Sequence, residues 1–195
     1  TVMNNVLGSE HPVSAHVLNN LGHLFSWTER YDEAREAFGR DLKIKENRYG
    51  KNSIPVAQSI NSLATLLNDM GNYTEAEALF WRSHKIISKK LGVQHSWSIA
   101  SKYSLAVLLS YKGDLEAAEA IFEEVNQLEG QNNSSPKAQA LDWYVYKLKK
   151  DRAFEEATNY SLRLIEIEID ELGERHINLA TSFYNLGKIF YEQKL

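Results

Sequence analysis

Apolar side chains recur along this chain at steps of three and four residues, the period of a helix with one buried face. Within residues 13–49, Val17, Leu18, Leu21, Leu24 and Phe25 form one such run. Glu29-Arg30 interrupts it, and Tyr31, Ala34, Phe38, Leu42 and Ile44 form a second. Tyr49-Gly50 then stops the pattern, because glycine tolerates the backbone turn that follows a helix end. The same reading predicts helices over 13–28, 31–48, 55–70, 73–90, 97–112, 115–128, 137–150, 154–171 and 178–193.

The pattern repeats. LGSEH at 7–11 returns as YGKNS at 49–53, LGVQH at 91–95 and LGERH at 172–176, at steps of 42, 42 and 81 residues. Leu21, Leu63, Leu105, Tyr144 and Leu186 keep the same register, followed by Gly22, Ala64, Ala106, Val145 and Gly187. Ala34, Ala76, Ala118 and Ala157 share a position in the second helix, and Phe38, Phe80 and Phe122 share another four residues on. A small residue beside a large one lets two helices approach, and the aromatic fills the next gap. A fixed period of this length marks a solenoid in which each helix pair buries its apolar face against its neighbours.

The large–small pair, the turn Gly71-Asn72-Tyr73 and the Glu-Ala that follows at 75–76 resemble the tetratricopeptide repeat. LGSEHPVSAHVLNNLG at 7–22 is similar to the 42-residue repeats of kinesin light chain, a repeat form also common in sensor proteins of bacteria and fungi. The resemblance covers essentially the whole chain. It implies an all-α, right-handed superhelical solenoid of antiparallel helix pairs, running as one array over 1–195. The repeats fall at about 13–50, 55–92, 97–129 and 136–173, with a half repeat at 177–195 and residues 1–11 as the tail of a preceding helix. Both ends then read as cut from, or capping, a longer array. Repeat four departs from the pattern: GQNNSSP at 130–136 replaces the LGxxH element, Arg152 stands where Gly is usual, and Ser161 replaces the Phe. That is repeat drift, or a bend in the array.

In this architecture the first helices line a concave groove. Carried over by register, the resemblance places His16, Asn19, Asn20, His23, Ser26 and Trp27 there from repeat one, and Gln58, Asn61, Thr65, Asn68 and Asp69 from repeat two. Repeat three supplies Tyr103, Val107, Ser110 and Tyr111. Repeat four supplies Asp142, Tyr146, Lys149 and Lys150, and the half repeat Tyr184, Asn185, Lys188 and Tyr191. These residues lie opposite or beside the apolar stripe at helical spacing. Amides and hydroxyls dominate the N-terminal half and can register an extended peptide backbone. Tyrosines dominate the C-terminal half and give rigid contact area with a polar tip. The implied ligand is a linear peptide, or a partner helix, with a polar extended part, an apolar or aromatic anchor and an acidic flank. A co-chaperone clamp for a C-terminal carboxylate fits poorly, since its positions read His16, Asn20, Ser62, Ala100 and Ser104, of which only Asn20 matches. The basic groove of kinesin light chain is not reproduced either: Asp69, Asp142 and Glu192 balance Lys149, Lys150 and Lys188.

Composition narrows the partners. The net charge of −4 argues against a nucleic-acid backbone binder. The chain contains no cysteine, so disulfides and thiolate metal sites are excluded and a reducing, cytoplasmic setting is favoured. No apolar run approaches membrane-spanning length, and TVMNNVLG at the start lacks the features of a signal peptide. His16 and His23 share a helix face but have no third metal ligand in sequence. His11, His95 and His176 recur at the repeat junction and read as caps or turn residues. The sequons at Asn72, Asn132, Asn133 and Asn159 read as chance. The lysines at 85, 89 and 90 suit a helix C-terminus, and the acidic run 114–129 suits a solvated face or a docking patch for a basic partner. No nucleophile elbow, phosphate loop or HExxH is present. The expectation is therefore a module without catalytic activity, metal or cofactor, serving as adaptor or regulatory arm of a larger protein. The alternative is self-association through open repeat ends, with Phe183, Ile189 and Phe190 on the exposed face.

Overall fold

The computed structural model describes residues 12–130 and 135–194, so the expectations for residues 1–11, His11 included, and for Asn132 and Asn133 lie outside the described residues. Among the described residues there are nine helices and no strand. They are α1 (Pro12–Trp27), α2 (Tyr31–Tyr49), α3 (Ile54–Asp69), α4 (Tyr73–Leu91), α5 (Ser96–Lys112), α6 (Leu115–Glu129), α7 (Pro136–Lys150), α8 (Phe154–Leu172) and α9 (Ile177–Glu192). Every end lies within one residue of the sequence expectation. The chain forms two compact units, Thr1–Ser101 and Lys102–Leu195.

In the first unit α1 lies on α2, α2 on α3, and α3 on α4. Ala34 and Phe38 of α2 pack with Leu66 of α3, and Val56, Ala57 and Ile60 of α3 pack with Ile86 and Ile87 of α4. The small–aromatic pairing is a steric requirement: a Cβ on Gly22 would stand 2.6 Å from the Phe38 ring. Val17, Leu21 and Leu24 of α1 are exposed, so the apolar stripe of this helix is only partly covered.

In the second unit Ala106 and Leu109 of α5 pack with Ala118 and Phe122 of α6 and Ala140 of α7. Helix α7 lies on α8, and α8 on α9. Ile189, expected on an exposed face, is fully buried against Val145, Leu148 and Ala157. Repeat four keeps its volume by exchange. Val145 takes the small position and Ser161 the aromatic one, both buried, while Tyr144 meets Tyr160 edge-on at 5.0 Å. On the second helix the aromatic has moved by one position, and on the first Tyr144 stands where the other repeats carry leucine.

Turns and caps follow the period. The amide of Arg30, Asn72, Asp114 or Ala153 bonds the carbonyl five residues back, at 2.8–3.0 Å in all four repeats, which closes the first helix. The preceding residue must then adopt positive φ: 80° at Gly71 and 81° at Gly113, but also 58° at Glu29 and 60° at Arg152. Two first helices start on a histidine, with Nδ1 of His95 accepting from the Trp97 amide at 3.1 Å and Nδ1 of His176 from the Asn178 amide at 3.3 Å. Ser135 caps α7 by accepting from the Ala138 amide at 3.0 Å.

Left-handed backbone is costly for a residue with a Cβ. Arg152→Gly therefore stabilises the chain by roughly 0.5–1 kcal/mol after the loss to unfolded-state entropy. Gly113→Arg destabilises it by about 1 kcal/mol or more. Urea denaturation of the two variants checks these opposite signs.

Candidate functional site

The expected groove residues all sit on α1, α3, α5, α7 and α9. In the first unit His16, Asn20 and Trp27 of α1 and Gln58 and Thr65 of α3 are exposed. Others there are engaged in the framework. Asn19 donates to Ser62 Oγ at 3.3 Å and to Asp41 Oδ2 at 3.5 Å. His23 Nε2 lies 3.5 Å from Ser62 Oγ, and its ring stands edge-on to Phe38. Beneath them Lys45 Nζ lies 2.9 Å from Asp41 Oδ1 and donates to Ser59 Oγ at 2.8 Å, and Ser59 bonds Asp41 Oδ2. This closed network is buried, with ion and counter-ion both present, which is what a buried charge requires. Asn68 is buried as well. Asn61 is half-buried, and the Oδ1 atoms of Asn61 and Asn68 accept no hydrogen bond.

The second unit gathers its candidates into one constellation. Trp143 Nε1 donates to the Tyr103 hydroxyl at 3.1 Å. Tyr103 is rooted in the core by an edge contact with Phe122 at 5.2 Å. Tyr111, a buried residue, stacks on Tyr146 with ring centroids 6.3 Å apart and planes 15° apart. Trp143 meets Tyr146 edge-on at 5.9 Å. Tyr103 and Tyr111 are thus supports rather than open contact surface, while Tyr146 is 55% exposed. Tyr146, Asp142, Lys149 and Asn185, with Trp143 and Val145, line a pocket of about 290 Å³ between α7 and α9. Lys149 and Lys150 also fall in the last turn of α7, where cations complement the helix dipole. Tyr184 and Tyr191 are exposed on α9, and Lys188 Nζ lies 5.9 Å from the Tyr184 ring centroid.

Two residues that sequence reasoning passed over matter here. Trp143 shares the register of Asn20 and Asn185, both expected in the groove, so its position was readable from the period. Glu168 occupies the register of Lys45 and Ile87, on the buried face of a second helix. It is 4% exposed. The Ser182 hydroxyl bonds its carboxylate, but Oε2 is buried with no partner. Burial raises its pKa; Ser182 pulls it down, the Asp142 charge pushes it up and His176 pulls it down. Desolvation of the carboxyl also raises the pKa of Asp142, against the pull of Lys149, although the residue as a whole is exposed.

Among the described residues no group of three or more His, Cys, Asp or Glu is placed to hold a metal ion, and no helix is long and apolar enough to cross a membrane. The acidic run on α6 is partly balanced: Lys102 pairs with Glu124, and Lys137 and Arg163 share a pocket of about 180 Å³ with Glu116 and Glu119.

Family models described as tetratricopeptide repeat match residues 14–54 and 55–125. Among solved structures, the chain is similar to the nearly identical TPR-like repeats of Podosopora anserina, a protein that carries the kinesin light chain name. The TM-score is 0.61 at 18% identity, covering 94% of this chain and 89% of that one. BtubC (BKLC) from P. vanneervenii follows at TM-score 0.56 and 22% identity, over 83% of this chain and 65% of that one. The apo form of RapI matches at 0.56 and 16%, over 95% and 70%. These likenesses show an all-α repeat solenoid. No curated protein matches by sequence.

A raised carboxyl pKa means that the folded chain binds protons more tightly than the unfolded one. Stability contributed by Glu168 is then greatest when it is protonated, and falls as pH rises above the ordinary carboxylate value of about 4.3. Asp142 on α7 and His176 at the start of α9 are the charged groups that face it. Glu168→Gln should gain stability over the wild type as pH rises above the ordinary carboxylate value of about 4.3. Urea midpoints of the two proteins across that range check it, and a constant gap refutes it.

Proposed function

We propose that this chain, which belongs to the tetratricopeptide repeat family and is a protein-interaction repeat module, captures a linear peptide or a partner helix on the α7–α9 face. The observation that carries the reading is the aromatic rack of the second unit. Tyr103 and Tyr111 fix Trp143 and Tyr146 from below. A ring held in place before binding loses little rotamer freedom on contact, so its apolar area converts more fully into affinity. Tyr146 offers such a ring beside a pocket whose other walls carry an amide, an ammonium and a carboxylate. These polar groups fix ligand register while the aromatics anchor it. The tetratricopeptide scaffold supplies rigidity, and the reading assigns no catalytic step to it. In the first unit His16, Asn20, Gln58 and Thr65 keep their own reading as backbone-registering contacts, in an adaptor or regulatory arm acting in a cytoplasmic setting.

Selection of displayed random peptides on the chain tests it. The selected consensus should bind Tyr146→Ala at least about tenfold more weakly, the loss expected for an interface anchor. Peptides that bind wild type and Tyr146→Ala equally would move the ligand off this face.

A second reading rests on α9. Phe183 and Phe190 are 54% and 45% exposed, and Ile177 is also open. Exposed apolar side chains gathered on one element suit a second copy of the chain. Sedimentation velocity at two concentrations should then show mass rising with concentration, and Phe183→Ser/Phe190→Ser should abolish the rise.

A further inference from the structure

A second cavity, of about 210 Å³, lies beside the aromatic pocket, between α7, α8 and α9. The two share Asp142 as a wall. Around the second cavity stand Gln139, Asp142, Glu168, Asn178, Thr181 and Ser182. Each carries a hydrogen-bond acceptor, the two amides and two hydroxyls among them can also donate, two are carboxylates, and none of the lining residues is Lys, Arg or His. The volume is well above the roughly 30 Å³ that one water occupies in the liquid.

The register shared with the first unit shows what is missing. Lys45 and Glu168 are equivalent positions, as are Ser59 and Ser182. In the first unit the buried charge of Lys45 finds both its serine and a counter-ion, Asp41. In the second unit Glu168 finds its serine, but the position of Asp41 is held by Leu164. The carboxylate is left with Oε2 buried and unpartnered, with the acid Asp142 of α7 acting against its charge and His176 at the start of α9 acting for it. An unpaired buried charge is expensive unless something completes it.

We infer that this cavity is a subsite for a guanidinium or ammonium group of the bound partner, with Glu168 and Asp142 as its counter-ions. The inference rests on the α7–α9 face being the partner surface, and it specifies a basic residue next to the anchor that sits on Tyr146. A hydrogen-bond-donating cation suits these walls better than a metal ion, because among the described residues no group of three or more His, Cys, Asp or Glu is placed to hold one. Lys149, on the aromatic side of Asp142, competes for that carboxylate. Desolvation raises the proton affinity of both acids, as expected for carboxyls without a full counter-ion.

The test uses small probes on the whole chain, so that it does not depend on peptide capture. Amide NMR spectra are recorded during titration with Nα-acetyl-arginine methylamide, Nα-acetyl-lysine methylamide and methylamine, and with the acetyl-citrulline amide as an uncharged control. Saturable shifts at Asp142, Asn178 and Ser182 are expected for a cationic probe. Citrulline should give none, and Glu168→Gln should weaken the probe at least about tenfold, near 1.4 kcal/mol. Lys149→Ala should leave it as tight or tighter. The arginine and lysine arms separate a side-chain source from the terminal amine that methylamine mimics. Absence of shifts, shifts that persist in Glu168→Gln, or equal shifts with citrulline would overturn the inference. If selected peptides still depend on Tyr146 in that event, the interaction face stands and only the cation subsite falls. If the probe binds and no peptide does, the reading of the face fails separately.

Discussion

The fold depends on one close approach repeated along the chain. A small residue on the first helix of each pair lies opposite an aromatic sixteen residues later: Gly22 and Phe38, Ala64 and Phe80, Ala106 and Phe122. At the first of these pairs there is no room for even a methyl group without moving the ring. Each aromatic is buried, and so is the small residue opposite it. Short interaxial distance brings dense packing, and dense packing is where apolar burial and dispersion add most. Repeat four shows that the constraint is on volume rather than on residue identity. Val145 and Ser161 reverse the sizes, and Tyr144 against Tyr160 restores the bulk. What reads in the sequence as drift is, in three dimensions, a compensated exchange.

The same framework decides which polar groups can be free. Asn19 and His23 lie one turn apart on α1 and were expected to face a ligand. They instead reach Ser62, and through Asn19 the Asp41–Lys45–Ser59 network. A charge buried between helices must be neutralised or desolvated at large cost. In the first unit the chain supplies that neutralisation itself. In the second unit it supplies only half, and the result is a carboxylate with raised proton affinity. Equivalent positions of one repeat thus carry a closed network in one unit and an open one in the other.

How much of this was legible follows from which forces are local. Helix limits were readable because glycines, prolines and turn residues act within one turn of their own position. Tyr49-Gly50 and Ser135-Pro136 mark a stop and a start on the chain itself. The family was readable because the small–aromatic spacing is a packing rule written at fixed offsets. The fate of individual candidates was not, because it depends on neighbours about one repeat away in sequence. Nothing local distinguishes Tyr111, stacked and buried, from Tyr146, stacked and open. Trp143 was readable in principle, through its register with Asn20 and Asn185. Glu168 was not, since a glutamate on a helix is ordinarily a solvated side chain, and only the packing of α7 and α9 against α8 encloses it.

A strictly periodic array would present the same surface at every step and could select a partner only by its own periodicity. Selectivity has to come from departures that the framework can absorb. Repeat four concentrates them: Trp143 in place of the polar residue of other repeats, Tyr144 and Val145 in place of the Leu–small pair, Arg152 at the turn glycine, and Glu168 on the buried face. The volume exchange explains how they are tolerated together, because it keeps the helix pair closed while changing what its surface displays. The aromatic rack and the acidic cavity lie on the two sides of Asp142. One short ligand segment could therefore meet both, with a ring over Tyr146 and a cation against Glu168. The departures of the fourth repeat thus meet on two neighbouring surfaces of one helix pair and its successor.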